Sequence, residues 1–153
     1  MKVVIFTYNL TCFFMGHHNA PEAAFPLLRQ SIERLIAGYG AISFVVGNRD
    51  NFDAMAAKAV SQAKQSRPDN KLSLLLTYPQ ALPPGFDGVV YPPEIEAISS
   101  SETLNRYMID TSDFLIAYAL GGSTARLCQY AYERERQSLL IVENLAQGKL
   151  RSI

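Results

Sequence analysis

The stretch FLIAYALGGSTARLCQYAY, running from Phe114 to Tyr132, decides the fold. It opens on Phe114–Tyr118, an apolar run without alternation, which is the pattern of a strand buried on both faces in a parallel sheet. Gly121-Gly122-Ser123-Thr124 breaks the run, with Ser123 as the N-cap expected of the next helix. Ala125, Cys128, Ala131 and Tyr132 then recur on one helical face, in a helix that extends to about Gln137. Buried strand, glycine turn and amphipathic helix in that order make half of a βαβ unit.

The same grammar extends in both directions. Lys2–Tyr8, Ile42–Val46, Leu72–Thr77 and Ser138–Val142 read as further strands, which predicts a five-stranded sheet. Leu28, Ile32, Leu35 and Ile36 mark a helix that begins near Pro21 or Pro26, since proline is tolerated in a first turn. Phe52, Met55, Ala56, Ala59, Val60 and Ala63 form an apolar stripe at helical period. Leu104, Tyr107 and Met108 mark a short helix, with Ser99-x-x-Glu102 as its capping box. Alternating strands and helices predict an α/β fold: a Rossmann-like, doubly wound, mainly parallel five-stranded sheet with helices on both faces. The irregular stretch is Tyr78–Ser100, with Pro79, Pro83, Pro84, Pro92 and Pro93. It reads either as a binding loop or as a proline-stiffened excursion, and Val89–Tyr91 is a candidate edge strand inside it.

Composition narrows the function classes. The 153 residues fit one domain, residues 1–153, and the 48% apolar content supplies a core. Lys+Arg and Asp+Glu are 14 each, so the chain lacks the basic excess of a general nucleic-acid binder. Zero net charge, with tyrosines such as Tyr130 on the surface, favours self-association, and a homodimer is expected. Cys12 and Cys128 have no zinc-ligand spacing and read as reduced thiols. No apolar run is long enough for a membrane span, and the expected location is cytoplasmic.

In an open parallel sheet, ligands bind beyond the carboxyl ends of the strands. Three turns fall on that edge. One holds Gly16-His17-His18. The second is Gly47-Asn48-Arg49-Asp50-Asn51-Phe52-Asp53, and the third is Gly121-Gly122-Ser123-Thr124. Glycine allows close backbone approach, and a helix N-terminus offers free N–H groups to an anion. Neither a G-x-G-x-x-G nor a P-loop pattern is present. Adjacent His17 and His18 have no carboxylate cluster nearby in sequence, so no metal site is expected. One histidine should contact ligand or backbone while the other faces solvent. Arg106 reads as a phosphate clamp or a surface arginine, and Asp53 as a partner of the helix dipole or of a ribose hydroxyl.

Four pieces taken together carry a resemblance. They are Gly16-His17, the Gly47…Phe52-Asp53-Ala-Met-Ala-Ala helix start, the block Asn105-Arg106-Tyr107-Met108-Ile109-Asp110-x-Ser112-Asp113, and Gly121-Gly122-Ser123-Thr124. Their order resembles the SLOG superfamily, which is Rossmann-like and LOG-related, and within it the DUF1273/YpsA-like proteins. The resemblance implies a nucleotide or nucleotide-derived ligand held by Gly16, His17, Gly47, Asp53, Asn105, Arg106, Gly121, Gly122, Ser123 and Thr124. Asn48 and Asp110 complete the expected contacts. The chain departs from the pattern at His18, where these proteins usually carry arginine, and in its short Tyr78–Ser100 region. LOG-type phosphoribohydrolases carry P-G-G-x-G-T-x-x-E. Here Leu120 stands for the proline and Leu127 for the catalytic glutamate. No catalytic residue is therefore assigned, and no cofactor is expected beyond the nucleotide-type ligand itself. Ligand binding or sensing is the leading expectation. The alternatives are a hydrolase or transferase using Asp53 or Asp110, and an interaction module with a vestigial pocket.

Overall fold

Cys12, Phe13, Phe14 and Met15 are all buried, as an interior strand of a doubly covered sheet allows. They belong to β1 (Leu10–Gly16). The computed structural model describes residues 9–47, 50–76, 80–91 and 101–147. After β1 come α1 (Ala24–Tyr39), β2 (Ile42–Val46), α2 (Asn51–Ser66), β3 (Lys71–Leu75) and β4 (Gly88–Val90). α3 (Ser101–Thr111), β5 (Phe114–Tyr118), α4 (Gly122–Arg136) and β6 (Ile141–Asn144) follow.

The sheet order is β4-β3-β2-β1-β5-β6, and every pairing is parallel. From β1 the chain works outward to β4, then crosses back to β5 and β6 on the other side. The order reverses between β1 and β5, where Phe13 pairs with Leu115 and Gly16 with Tyr118. Side chains alternate between two cores with the period of two that strands impose. Cys12, Phe14, Phe44, Val46 and Ile116 pack with Leu28 and Ile32 of α1 and Phe52, Ala56 and Val60 of α2. Phe13, Met15, Val45, Leu115 and Ala117 pack with Met108 and Ile109 of α3 and Leu127 and Cys128 of α4. Each fully buried Phe, Leu or Ile contributes roughly 1.5–3 kcal/mol. The α/β, parallel, doubly wound expectation therefore holds.

Several details differ from the sequence expectation. The sheet has six strands, not five, because the candidate edge strand at Val89–Tyr91 forms as Gly88–Val90 and adds a parallel edge to β3. The expected first strand, 2–8, lies outside the described residues. The strand that pairs with β2 and β5 is Leu10–Gly16, all of which the sequence reading assigns to the turn after the first strand. The last strand starts at Ile141, not at residue 138. Ser138 takes a left-handed φ of 61° and, with Leu139, donates its backbone N–H to the last carbonyls of α4, so extension cannot begin there. The N-cap of α4 is Gly121, not Ser123. The expected capping box at Ser99 falls outside the described residues. Asp113 ends the α3 connection and ties three strands together: its carboxylate accepts the N–H of Thr11 at 2.8 Å, and its carbonyl accepts that of Ile141. Among the described residues, no helix is long and apolar enough to cross a membrane.

Candidate functional site

Where β1 and β5 diverge at their carboxyl ends, a cleft of about 570 Å³ opens. Gly16, His17 and His18 line it from the end of β1, Gly47, Asp50 and Asp53 from the β2–α2 turn, Leu104 and Asn105 from α3, and Gly121 to Thr124 from the start of α4. The position is the one strand topology dictates: crossovers leave in opposite directions on either side of the switch point, so no helix fills the gap.

Two glycines are required by what touches them. A Cβ on Gly16 would lie 2.5 Å from the ring of Phe52, which packs in the α1–α2 core. A Cβ on Gly47 would lie 2.8 Å from Oδ2 of Asp53. Strand ends and the first turn of α2 therefore approach more closely than any side chain permits, and Asp53 is buried, only 7% exposed, in the cleft wall.

The turn from β5 into α4 is held from both sides. The buried Asn144 side chain accepts the N–H of Ala119 and donates to its carbonyl, both at 3.0 Å. His17 Nε2 accepts the N–H of Leu120 at 2.8 Å and, at 3.4 Å, that of Gly121. A ring nitrogen that accepts carries no proton, so the neutral imidazole has its proton on Nδ1. Beyond this anchored segment, Gly122 turns into the helix with φ of +67°, a left-handed value that favours glycine.

The two helix N-termini at the cleft differ electrostatically. In α2, Asp50 is the N-cap, and its side chain accepts the N–H of Asp53 at 2.8 Å, with the Asp53 carboxylate in the first turn as well. That N-terminus is already occupied by the chain's own negative charge. In α4, Gly121 is the N-cap, no side chain caps the helix, and the first turn holds no acidic residue. The first N–H groups of α4 have no intrahelical partner. The cleft thus has an electropositive end at α4 and an electronegative end at α2.

Gly16, His17, Gly47, Asp53, Asn105, Gly121, Gly122, Ser123 and Thr124, expected from sequence, all line this cleft. Asn48 lies outside the described residues. Arg106 and Asp110 are placed elsewhere. One residue along a helix is about 100° of rotation, so with Leu104 and Asn105 at the cleft, Arg106 is turned away. Its guanidinium lies over the Tyr130 ring, 4.6 Å from the centroid. Asp110 pairs with Arg134 at 3.3 Å and accepts the Tyr130 hydroxyl, which pushes the Tyr130 phenol above its usual range. Tyr130, expected on the open surface, is half-buried in this α3–α4 network. Burial pushes the Cys12 thiol up as well, consistent with an inert core thiol.

Sequence reasoning passed over Asp50 and His18 as cleft residues. For Asp50 the signal was present: Asp before a helix with a second Asp three residues on is an N-cap pattern. Of the two adjacent histidines, His17 contacts the backbone and His18 is the exposed one, and His18 also lines the cleft. Among the described residues, no cluster of three or more His, Cys, Asp or Glu could hold a metal ion.

No protein-family model and no curated protein matches this chain. Solved structures match it at the level of fold. The molybdenum cofactor binding protein from the phototrophic bacterium Rippkaea orientalis has a TM-score of 0.61 and 13% identity, over 95% of each chain. The molybdenum cofactor carrier protein MCP from Chlamydomonas reinhardtii has a TM-score of 0.57 and 12% identity, over 95% of this chain and 96% of that one. The fold shared across nearly the whole length is a Rossmann-like α/β sheet.

Proposed function

We propose that this chain binds a phosphorylated, nucleotide-type small molecule as a carrier or sensor, with the phosphate at the N-terminus of α4. The observation that carries this reading is the contrast between the two helix starts in one cleft. The start of α2 is filled by Asp50 and Asp53, while that of α4 is uncapped and held in place by His17 and Asn144. An anion placed there meets free N–H groups, the positive end of the helix dipole and the Ser123 and Thr124 hydroxyls. The fold likeness to molybdenum cofactor binding and carrier proteins supports a carrier role and adds that cofactor to the ligands to try. Assignment to the SLOG superfamily rests on the same motifs and the same fold. One continuous sheet supports a single domain.

Binding is favoured over catalysis by Leu127. It occupies the place of the LOG-type glutamate and is 3% exposed in the α3–α4 core, so this position offers no carboxylate to a glycosidic bond. The one observation that favours a hydrolase is the Asp53 carboxylate in the cleft wall. A homodimer is supported by exposed Leu139 and Ile141, the latter on the edge strand β6.

Isothermal titration against AMP, GMP, cyclic nucleotides, ADP-ribose and molybdenum cofactor tests the reading. At least one phosphorylated ligand should bind, and Gly122→Val, which strains the left-handed turn, should abolish its binding. No binding to any of them, or undiminished binding by Gly122→Val, contradicts it. Release of free base or ribose phosphate, abolished in Asp53→Asn, would favour the hydrolase.

A further inference from the structure

Past Asp50 and Asp53 lies a second cavity, of about 530 Å³. It shares His18, Gly47 and the two carboxylates with the phosphate cleft, and it adds Asn51, Ala54, Ala57 and Phe86. Ala54 and Ala57 are three residues apart and so lie on one face of α2. Phe86 comes from the segment leading into β4, and its half-buried ring packs on the α1–α2 core. Beyond the residues shared with the cleft, a wall of two alanines, one amide side chain and one aromatic ring suits a flat group, and every nucleobase-like heterocycle has a face that stacks on an aromatic ring. The carboxylates where the cavities adjoin accept N–H or O–H groups and repel a further anion.

We infer that this second cavity is a ring subsite. It takes the neutral, planar, N–H-bearing heterocycle of a ligand whose phosphate sits at α4, with Asp50 and Asp53 between the two ends. The inference rests on the phosphate reading above and adds to it the ligand's polarity: one anionic end, one flat hydrogen-bond-donating end. Ala54 and Phe86 become specificity-determining residues that touch the ring and not the phosphate.

The test is isothermal titration of the full chain with ribose phosphate, AMP and GMP. Wild type should bind AMP or GMP about tenfold or more tightly than ribose phosphate. Phe86→Ala should remove that advantage. So should Ala54→Phe, placed at an exposed helix position where folding is not at stake. Both variants should leave ribose phosphate affinity within about twofold. Equal wild-type affinity for the sugar phosphate and the nucleotides overturns the ring subsite and leaves the phosphate reading intact. Loss of ribose phosphate binding in folded Ala54→Phe overturns the separation into two subsites. Binding of none of the probes overturns the phosphate reading, and the ring subsite falls with it.

Discussion

His17 Nε2 accepts the backbone N–H of Leu120 at 2.8 Å, across the gap where β1 and β5 diverge. One side chain thereby sets the position of the turn that starts α4. Removing it leaves the N–H groups of Leu120 and Gly121 without this acceptor. His17→Ala should reduce stability by about 1 kcal/mol and weaken phosphate-ligand affinity by about tenfold. His17→Gln, whose amide oxygen can accept in the same direction, should recover part of both. Urea denaturation and titration of the two variants give the answer. Unchanged affinity in His17→Ala would show that the turn holds its shape without the imidazole.

Gly16 and Phe52 form a contact that allows no side chain on the strand. Gly16→Ala brings a methyl within 2.5 Å of the Phe52 ring and should destabilise by about 1–3 kcal/mol. Shrinking the ring should relieve the clash, so Gly16→Ala with Phe52→Leu should be less destabilised than the sum of the single changes. A double-mutant cycle by denaturant unfolding measures the coupling. Additive effects would contradict the contact.

Arg106 belongs to the α3–α4 packing and not to the cleft. Arg106→Ala should leave phosphate-ligand affinity within about twofold and lower stability by about 0.5–1 kcal/mol through loss of the cation–π contact with Tyr130. A large loss of affinity with stability unchanged would restore the phosphate clamp expected from sequence.

Asp87 predicts an acid-sensitive term. Its side-chain hydrogen bond with Lys64, together with the backbone N–H of Leu72, holds the carboxyl below the usual carboxylate range. A depressed folded value contributes stability that is present above the unfolded value, about 4, and lost as pH falls through the lower folded one. The carboxylate is 33% exposed and Lys64 21%, so solvent screening keeps the contribution below about 1 kcal/mol. In urea titrations from neutral pH downward, the stability gap between wild type and Asp87→Asn should close below pH of about 4. A gap that stays constant through that range would remove Asp87 from the pH dependence.

How much of this was legible in the chain varies by element. α1 and α2 carry long apolar stripes at helical period, β2 and β5 carry near-continuous apolar runs, and the structure places all four where those patterns do. β1 was harder. Two apolar runs, VVIF and CFFM, stand on either side of Asn9, and periodicity does not say which occupies the middle of the sheet. β4 was legible only as a candidate edge strand, Val89–Tyr91, one residue late, because three residues including a glycine give a weak signal. β6 was displaced because a left-handed Ser138 closes α4, a backbone feature that composition hides. The edge on which the turns gather follows from parallel topology, so the cleft could be located from sequence. What could not be read was helix phase: whether Asn105 or its neighbour Arg106 faces inward depends on how α3 docks. Asp50-x-x-Asp53 carried the N-cap signal for α2, but no spacing showed that the start of α4 stays open.

The central claim is that an anion sits on the uncapped start of α4. Its most direct test is the perturbation of backbone amide resonances in nitrogen–proton correlation spectra as ribose phosphate is added to the intact chain. The account predicts saturable shifts largest at Gly122, Ser123 and Thr124, with the first turn of α2, Asn51 to Asp53, little changed. No saturable shift, or shifts centred on α2, would contradict it.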